Sequence, residues 1–244
     1  MAEWFEEWFN TDEYLDVYKH RNEAEAKELV DLILGNVNIP LEGEILDLAC
    51  GTGRHSIIFA QNGFKVTAVD LSEKLLGMAI KTAKENSVKI DFIKSDIRNF
   101  SIDKQFNLIL NLFTSFGYFN DDKENFLLFD IAFKYLKTSG YFVLDYFNKT
   151  YLENNLVKES KDIFEHYTLV QKRYFDDKRV IKDICIDTNG RKKHYTESVK
   201  IYSKNELVSR LEKAGLKVRN IYGGFDAKEF DDMNSHRIII IAQI

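Results

Sequence analysis

The stretch Ile45-Leu46-Asp47-Leu48-Ala49-Cys50-Gly51-Thr52-Gly53-Arg54 decides the fold class of this 244-residue chain. It runs from a short apolar strand into a glycine-containing turn, and a helical pattern follows the turn. Glycines in such a turn allow the backbone to approach a bound ligand closely. An ordinary tight turn between a strand and a helix has the same pattern, so the flanking sequence has to separate the two interpretations.

Outward from that turn, strands and helices alternate along the chain. The predicted strands are 44–49, 64–70, 90–94, 106–112 and 141–146, and predicted helices include 54–62, a segment ending at Ala83, and 123–136. Strands joined by helical crossovers form a parallel sheet, so the sequence predicts a doubly wound α/β fold. A helix over 204–213 and two more strands, 216–222 and 237–244, complete the pattern.

Two segments lie outside this alternation, and we assign both to a single domain that spans 1–244. Residues 1–39 are predicted to be helical and to form an N-terminal cap. Their aromatic side chains at helical spacing fit either packing or the covering of a site. Residues 162–201 contain the β-rich runs 163–175, 180–187 and 194–202. These predict an inserted antiparallel meander that serves as a substrate cap or as a dimer contact.

Carboxylates follow three of the predicted strands. Asp70 ends the second strand 19 residues after Gly51, the spacing expected for an acid that binds ribose hydroxyls. Asp96 follows the third strand and is expected at the same edge of the sheet, where open α/β sheets bind ligands. Asp47 would repel a pyrophosphate but attract a cationic adenosyl ligand, and Ser56 occupies the third glycine position of the dinucleotide pattern. A structural acid that bonds loop amides is the alternative role for Asp47.

The segments Glu44–His55, Val66–Ser72 and Asp96–Arg98 resemble the class I S-adenosylmethionine-dependent methyltransferases. The resemblance covers about residues 40 to 147, and the closing helix and two strands also fit it. It implies a Rossmann-like, seven-stranded sheet whose last strand is antiparallel. The chain is most similar to members that methylate small molecules and carry a β-rich insertion after strand five.

The resemblance also implies which residues bind S-adenosylmethionine, and its product S-adenosylhomocysteine. Asp47 and the glycine loop hold the methionine part, Asp70 the ribose, and Asp96 with Ile97 the adenine. The full expected set is Tyr18, Arg21, Asp47, Ala49, Gly51, Gly53, Arg54, Asp70, Leu71, Asp96, Ile97 and Asn111. No catalytic residue is certain, and the candidates are Asn111, Tyr118 and Tyr146. Arg21 is expected to pair with the cofactor carboxylate.

Methyl transfer from a sulfonium is an in-line displacement that needs alignment and the exclusion of water more than a catalytic triad. We therefore expect transfer to nitrogen or oxygen of a small-molecule acceptor. An RNA methyltransferase and a non-catalytic S-adenosylmethionine-binding protein are the alternatives. A nicotinamide-dependent oxidoreductase is disfavoured by Asp47 and Ser56.

The composition of the chain limits the binding partners that can be expected. With 34 basic and 39 acidic residues the net charge is −5, which argues against nucleic acid. Two cysteines, Cys50 and Cys185, fit a reducing cytoplasm, and the five scattered histidines predict no metal site. No apolar run approaches the ~20 residues of a membrane span. Monomer and homodimer both remain open.

Overall fold

A computed structural model describes residues 3–18 and 23–244 of the chain. The strands are β1 (Glu44–Leu48), β2 (Lys65–Asp70), β3 (Ile90–Lys94), β4 (Phe106–Asn111), β5 (Leu136–Phe147), β6 (Glu159–Ile163), β7 (Thr168–Asp176), β8 (Arg179–Thr188), β9 (Arg191–Lys200), β10 (Lys217–Tyr222) and β11 (Arg237–Gln243). Over the described residues they form a seven-stranded and a four-stranded sheet.

The central sheet has the order β10-β11-β5-β4-β1-β2-β3. Its first five strands along the chain pair in parallel, whereas β11 is antiparallel to both β5 and β10. This confirms the predicted doubly wound sheet with an antiparallel last strand. Because β1 lies between β2 and β4, the connections after β1 and β4 leave the sheet in different directions and open a crevice at the carboxyl ends of these strands.

Helices cover both faces of the central sheet. They are α1 (Trp4–Trp8), α2 (Asp12–Val17), α3 (Glu23–Leu34), α4 (Arg54–Gln61), α5 (Glu73–Glu85), α6 (Asp122–Tyr135), α7 (Lys149–Asn155) and α8 (Lys204–Lys213). Successive β1 side chains point to opposite faces, so Ile45 packs in a core with α3 and α4, whereas Leu46 packs in a core with α6 and α8. Burial on both faces explains why β1 is apolar almost throughout.

The second sheet, the insertion sheet, is the antiparallel series β6-β7-β8-β9. The prediction of one continuous run over 163–175 was wrong. β6 ends at Ile163 and β7 begins at Thr168, with Phe164 donating its backbone N–H to the Tyr167 carbonyl. The aromatic side chains of Phe164 and Tyr167 pack against a satellite core rather than extend a strand, which is why their residue types misled the prediction.

Other boundaries differ from those predicted. β5 begins at Leu136 rather than at 141, and α7 was not predicted. The helical pattern before residue 20 is divided between α1 and α2, because Thr11 caps α2 by accepting a hydrogen bond from the Tyr14 N–H. No helix in the described ranges combines the length and apolar character needed to cross a membrane.

Candidate active site

The loop after β1 turns sharply through left-handed residues, with φ of +61° at Ala49, +57° at Gly51 and +75° at Gly53. A Cβ placed on Gly51 would meet no atom within 4 Å, so this residue borders open space. A Cβ on Gly53 would lie 3.0 Å from the Cβ of Ala79 in α5. Gly51 therefore leaves room for a ligand, whereas Gly53 lets α4 begin close against a neighbouring helix.

Asp47 ends β1 beside this loop and is only 2% exposed. Ser56 donates its hydroxyl proton to Oδ2 at 2.5 Å. Burial and, to a smaller extent, the charge of Asp70 raise the pKa of Asp47 to about 6 against this hydrogen bond. Within residues 3–18 and 23–244, no basic side chain pairs with Asp47. The site thus holds a buried carboxylate that a ligand cation would stabilise.

Asp70 ends β2 and faces the same loop. Its Oδ2 accepts the Gly51 N–H at 2.7 Å, and its Oδ1 accepts the Ser72 N–H at 2.8 Å. Burial raises the pKa of Asp70, and hydrogen bonds from the backbone of Ser72, Gly51 and Leu71 oppose that rise. The carboxylate is therefore held in one orientation, and its remaining lone pairs can accept hydrogen bonds from hydroxyl groups of a ligand.

Asp96, after β3, is held by Arg98. The guanidinium Nη2 lies 2.6 Å from Asp96 Oδ2, and Nε lies within 3.1 Å of both Asp96 oxygens. Burial raises the pKa of Asp96, but the hydrogen bonds from Arg98 outweigh it and the net pKa is lowered. Arg98 also contacts Glu3 Oε2 at 2.6 Å and lies 4.4 Å over the Phe119 ring. This arginine links the carboxylate to the N-terminal segment.

The loop after β4 contains Phe113 and Thr114, both left-handed with φ of +60° and +62°. Asp145 of β5 holds this conformation, because its Oδ2 accepts the Phe113 N–H at 2.9 Å and its backbone carbonyl accepts the Thr114 N–H at 3.0 Å. Asp145 is fully buried and pairs with Arg237 at 2.5 Å. Non-glycine residues in this conformation cost free energy and often lie at functional sites.

The helices α1 and α2 lie over the crevice. Their rings contact the loop after β4, with centroid separations of 5.0 Å for Trp4–Tyr118 and 5.6 Å for Phe5–Phe119. The Ser72 hydroxyl donates to the Phe9 carbonyl at 2.8 Å, and Lys74 pairs with Asp12 at 2.5 Å. The N-terminal residues therefore form one wall of the crevice.

Together these segments enclose a cavity of about 400 Å³ at the carboxyl ends of β1, β2, β3 and β4. The predicted site residues that line it are Tyr18, Asp47, Ala49, Gly51, Arg54, Asp70, Leu71, Asp96, Ile97 and Tyr118. Ten of the residues predicted from the sequence therefore line the same cavity.

Three predicted residues do not line the cavity. Gly53 packs against α5. Asn111 is buried, and its Nδ2 donates to the carbonyls of Leu48 and Ser115, which holds the β4 loop against β1. Tyr146 is buried behind Phe116, and its hydroxyl donates to the Lys200 carbonyl. Tyr146 was predicted as a catalytic candidate, but at this position its side chain makes a structural contact and does not face the cavity. Arg21 lies outside the described residues.

Several lining residues were missed. Glu124, Asn125 and Leu128 come from the start of α6, and Leu75 and Met78 come from α5. Nothing in their local sequence separates them from the other apolar or capping positions of a helix. The aromatic spacing around Phe5 and Phe9 was the one signal available for the N-terminal wall, and it was equally compatible with packing.

Comparison with known proteins supports the domain type that the sequence resemblance indicated. Residues 45–140 match the family described as "Methyltransferase domain". The chain is 37% identical over 109 residues to a putative methyltransferase, YqeM, of Bacillus subtilis (strain 168), covering 44% of each chain. It therefore spans less than half the length of this curated relative. The match agrees with the resemblance drawn from the glycine loop and its carboxylates.

Solved structures extend the likeness to nearly the whole fold. An S-adenosylmethionine-dependent methyltransferase from Clostridium acetobutylicum ATCC 824 aligns with a TM-score of 0.82 at 20% identity, over 96% of this chain and 98% of that one. An S-adenosylmethionine-bound amino pentose methyltransferase from Micromonospora echinaspora aligns with a TM-score of 0.70 at 17% identity, over 96% and 97%. At these identities the likeness establishes the fold, including the insertion sheet.

Proposed function

We propose that this protein, whose residues 45–140 match the methyltransferase domain family, is an S-adenosylmethionine-dependent methyltransferase that transfers a methyl group to nitrogen or oxygen of a small organic acceptor. One observation carries the proposal. Asp47, Asp70 and Asp96, from the ends of three neighbouring strands, line one cavity together with Gly51. The set presents negative charge and open backbone at the position where this fold binds its ligand.

The residues present fit S-adenosylmethionine. The space over Gly51 admits a ligand against the backbone, and the carboxylate of Asp47 has the charge to receive an ammonium group. Arg54, at the start of α4, supplies a cation and a helix N-terminus for a ligand carboxylate. Asp70 would accept hydroxyl protons from the ribose, and Asp96 with Leu71 and Ile97 would surround the adenine.

When bound, S-adenosylmethionine supplies a methyl carbon on a positively charged sulfur, which an acceptor lone pair displaces in line. This chain's residues hold the reacting groups in alignment and exclude water. The aromatic wall formed by α1 and the β4 loop covers the cavity with apolar surface. Of the predicted catalytic candidates, Tyr118 is the one that lines the cavity, and it remains our candidate to orient the acceptor. Asn111 acts indirectly, since its Nδ2 holds the loop after β4 against β1.

A small acceptor is supported by the size and lining of the cavity. Its walls are largely aromatic and aliphatic, and the amino pentose methyltransferase noted above has the same fold. The net charge of −5 gives no general attraction for RNA. RNA methylation and non-catalytic binding are therefore outcomes that the experiment has to distinguish, rather than parts of the proposal.

The test is isothermal titration of the folded protein with S-adenosylhomocysteine, S-adenosylmethionine and NAD, followed by an acceptor screen that measures S-adenosylhomocysteine release. We expect both adenosyl ligands to bind and NAD not to bind. Absence of adenosyl binding at millimolar ligand would reject the proposal. Binding without turnover on any small molecule would favour the non-catalytic alternative, and salt-sensitive turnover on tRNA would favour the RNA alternative.

A further inference from the structure

The insertion sheet carries α1 and α2 on one of its faces. Trp8 and Val17 pack in one buried cluster with Leu169, Ile184 and Ile186 of β7 and β8. The Trp8 ring lies 4.4 Å from the Tyr195 ring of β9, and Lys193 forms an ion pair with Glu13. The N-terminal helices thus pack against a sheet whose strands come much later in the sequence.

A polar group sits at the centre of this contact. Glu197 of β9 and Lys182 of β8 are cross-strand neighbours, and each side chain is 13% exposed. Glu197 Oε1 accepts the Trp8 indole N–H at 2.7 Å and the Tyr18 hydroxyl at 2.6 Å. Lys182 Nζ donates to the Tyr18 hydroxyl oxygen at 2.6 Å and lies 3.4 Å from Glu197 Oε2. One buried carboxylate therefore holds both N-terminal helices.

The insertion sheet reaches the cavity through these helices and through the loop after β4, where Arg179 of β8 donates to the carbonyls of Tyr118 and Phe119. Among the described residues, none of those in β6 to β9 lines the cavity, whereas Phe5, Phe9, Tyr14, Leu15 and Tyr18 do. The N-terminal wall also contacts the loop after β4 and Ser72, but its buried side chains Trp8 and Val17 pack in the cluster shared with the insertion sheet. A buried acceptor that satisfies donors from two short helices fixes their orientation more strictly than apolar packing alone.

We propose that Glu197 and Lys182 are positioning residues that set the N-terminal wall of the cofactor cavity, and that the insertion sheet contributes to cofactor binding through them. The proposal rests on the proposed function for its ligand, S-adenosylmethionine. Loss of Glu197 removes the carboxylate that accepts the Trp8 N–H and the Tyr18 hydroxyl and that pairs with Lys182. A buried donor such as the Trp8 N–H that loses its acceptor favours a displaced wall in which water reaches it.

The chain offers a direct readout, because its two tryptophans are Trp4 and Trp8, both in α1. Intrinsic tryptophan emission therefore reports on this wall alone. We expect Glu197→Ala to shift the emission of the ligand-free protein to longer wavelength and to speed proteolysis within residues 3–18. We also expect S-adenosylhomocysteine to bind at least about tenfold more weakly.

The matched control is Asp183→Asn. Asp183 neighbours Lys182 in β8 but points to the opposite face of the sheet, where it accepts a hydrogen bond from Thr196. We expect this variant to keep the emission, the proteolysis rate and the ligand affinity of the natural sequence. An equal loss in both variants would overturn the proposal, because general weakening of the sheet would then explain the effect.

Two further outcomes decide the remaining cases. If Glu197→Ala does not fold, Glu197→Gln keeps the shape and one acceptor, and a smaller red shift with a smaller loss of affinity is expected. A red shift without any change in affinity would overturn the role in cofactor binding. If the natural sequence binds no adenosyl ligand, the proposed function fails, whereas emission and proteolysis still decide whether Glu197 and Lys182 hold the wall.

Discussion

A carboxylate buried with one hydroxyl donor destabilises a folded protein, and Asp47 is such a group. Its pKa is about 6 in the folded state against an ordinary value of 3.8. The folded state therefore binds the proton more tightly than the unfolded state, and stability falls as pH rises from about 4 to about 6. Above pH 6 the full penalty, at most about 3 kcal/mol, remains. A ligand cation bound beside Asp47 would offset this penalty.

We predict that Asp47→Asn raises the free energy of unfolding of the ligand-free protein by about 1–3 kcal/mol at pH 7. At pH 3 the two proteins should differ little, because Asp47 is then largely protonated in both folded and unfolded chains. Urea unfolding at the two pH values measures the difference. Equal stability at pH 7 would contradict the buried, unpaired state of this carboxylate.

Protonation of Asp47 should also determine how tightly the protein binds S-adenosylmethionine. Binding of S-adenosylmethionine to the natural sequence should weaken as pH falls below about 6, since neutral Asp47 no longer attracts an ammonium group. The Asp47→Asn variant should bind weakly at every pH and lose this dependence. Calorimetric titrations between pH 5 and pH 8 provide the comparison, and parallel pH profiles in the two proteins would count against the assigned role.

The two glycines of the loop after β1 should respond differently to substitution. Gly51→Val places a side chain in the cavity at φ +57°, so we expect a folded protein, destabilised by about 1–2 kcal/mol, that binds no S-adenosylhomocysteine. Gly53→Ala instead meets Ala79 at 3.0 Å, so we expect lower thermal stability with the affinity of the folded fraction retained. If Gly53→Ala abolished binding and Gly51→Val left it intact, the roles given to the two glycines would be wrong.

At the scale of elements, the loop after β4 shows how a distant pair holds a conformation that its own residues disfavour. Thr114 is β-branched and left-handed, a state that costs roughly 1–2 kcal/mol. Asp145 compensates through its bonds to two successive backbone N–H groups, and Arg237 neutralises its charge. Phe113 is thereby kept on the cavity wall, 4.8 Å from the Arg54 guanidinium carbon.

We predict that Asp145→Ala lowers the free energy of unfolding by about 3–5 kcal/mol, because it leaves Arg237 without its buried partner. The same change made in a Phe113→Gly background should cost less, since the Asp145 side chain bonds the Phe113 N–H and glycine adopts the left-handed conformation without support. Urea unfolding of the two single variants and the double variant measures this coupling. Strictly additive effects would mean that Asp145 does not hold the loop.

Local sequence predicted the elements whose contacts are local. The strand of Glu44–Leu48, the glycine loop and Asp70 follow from residue types within a few positions of one another, and the structure places them as expected. Asn111 and Tyr146 were not found at the cavity because a strand end has two faces, and neighbouring strands decide which side chain points inward. The bond between Trp8 and Glu197 joins residues 189 positions apart, a separation that no local pattern reports.

For the whole molecule, the cavity joins parts that otherwise belong to separate packing units. The central sheet has its own two cores, whereas α1, α2 and the insertion sheet share a third. The cavity is lined from the central sheet, the helices beside it and the N-terminal helices, so a bound ligand contacts both sides. A ligand that bridges two units couples their unfolding, and it stabilises the protein as one body.

This coupling predicts a thermal shift that identifies the ligand class. At 100 times its dissociation constant, S-adenosylhomocysteine should add about 2.7 kcal/mol of stability. For a chain of this size that corresponds to a rise in Tm of roughly 5–10 °C. Asp70→Ala should reduce the rise at the same ligand concentration, because the ribose loses its acceptor, and NAD should produce none. A comparable rise with NAD would mean that the three carboxylates do not select a cationic adenosyl ligand, since a pyrophosphate would then bind beside Asp47 despite its charge.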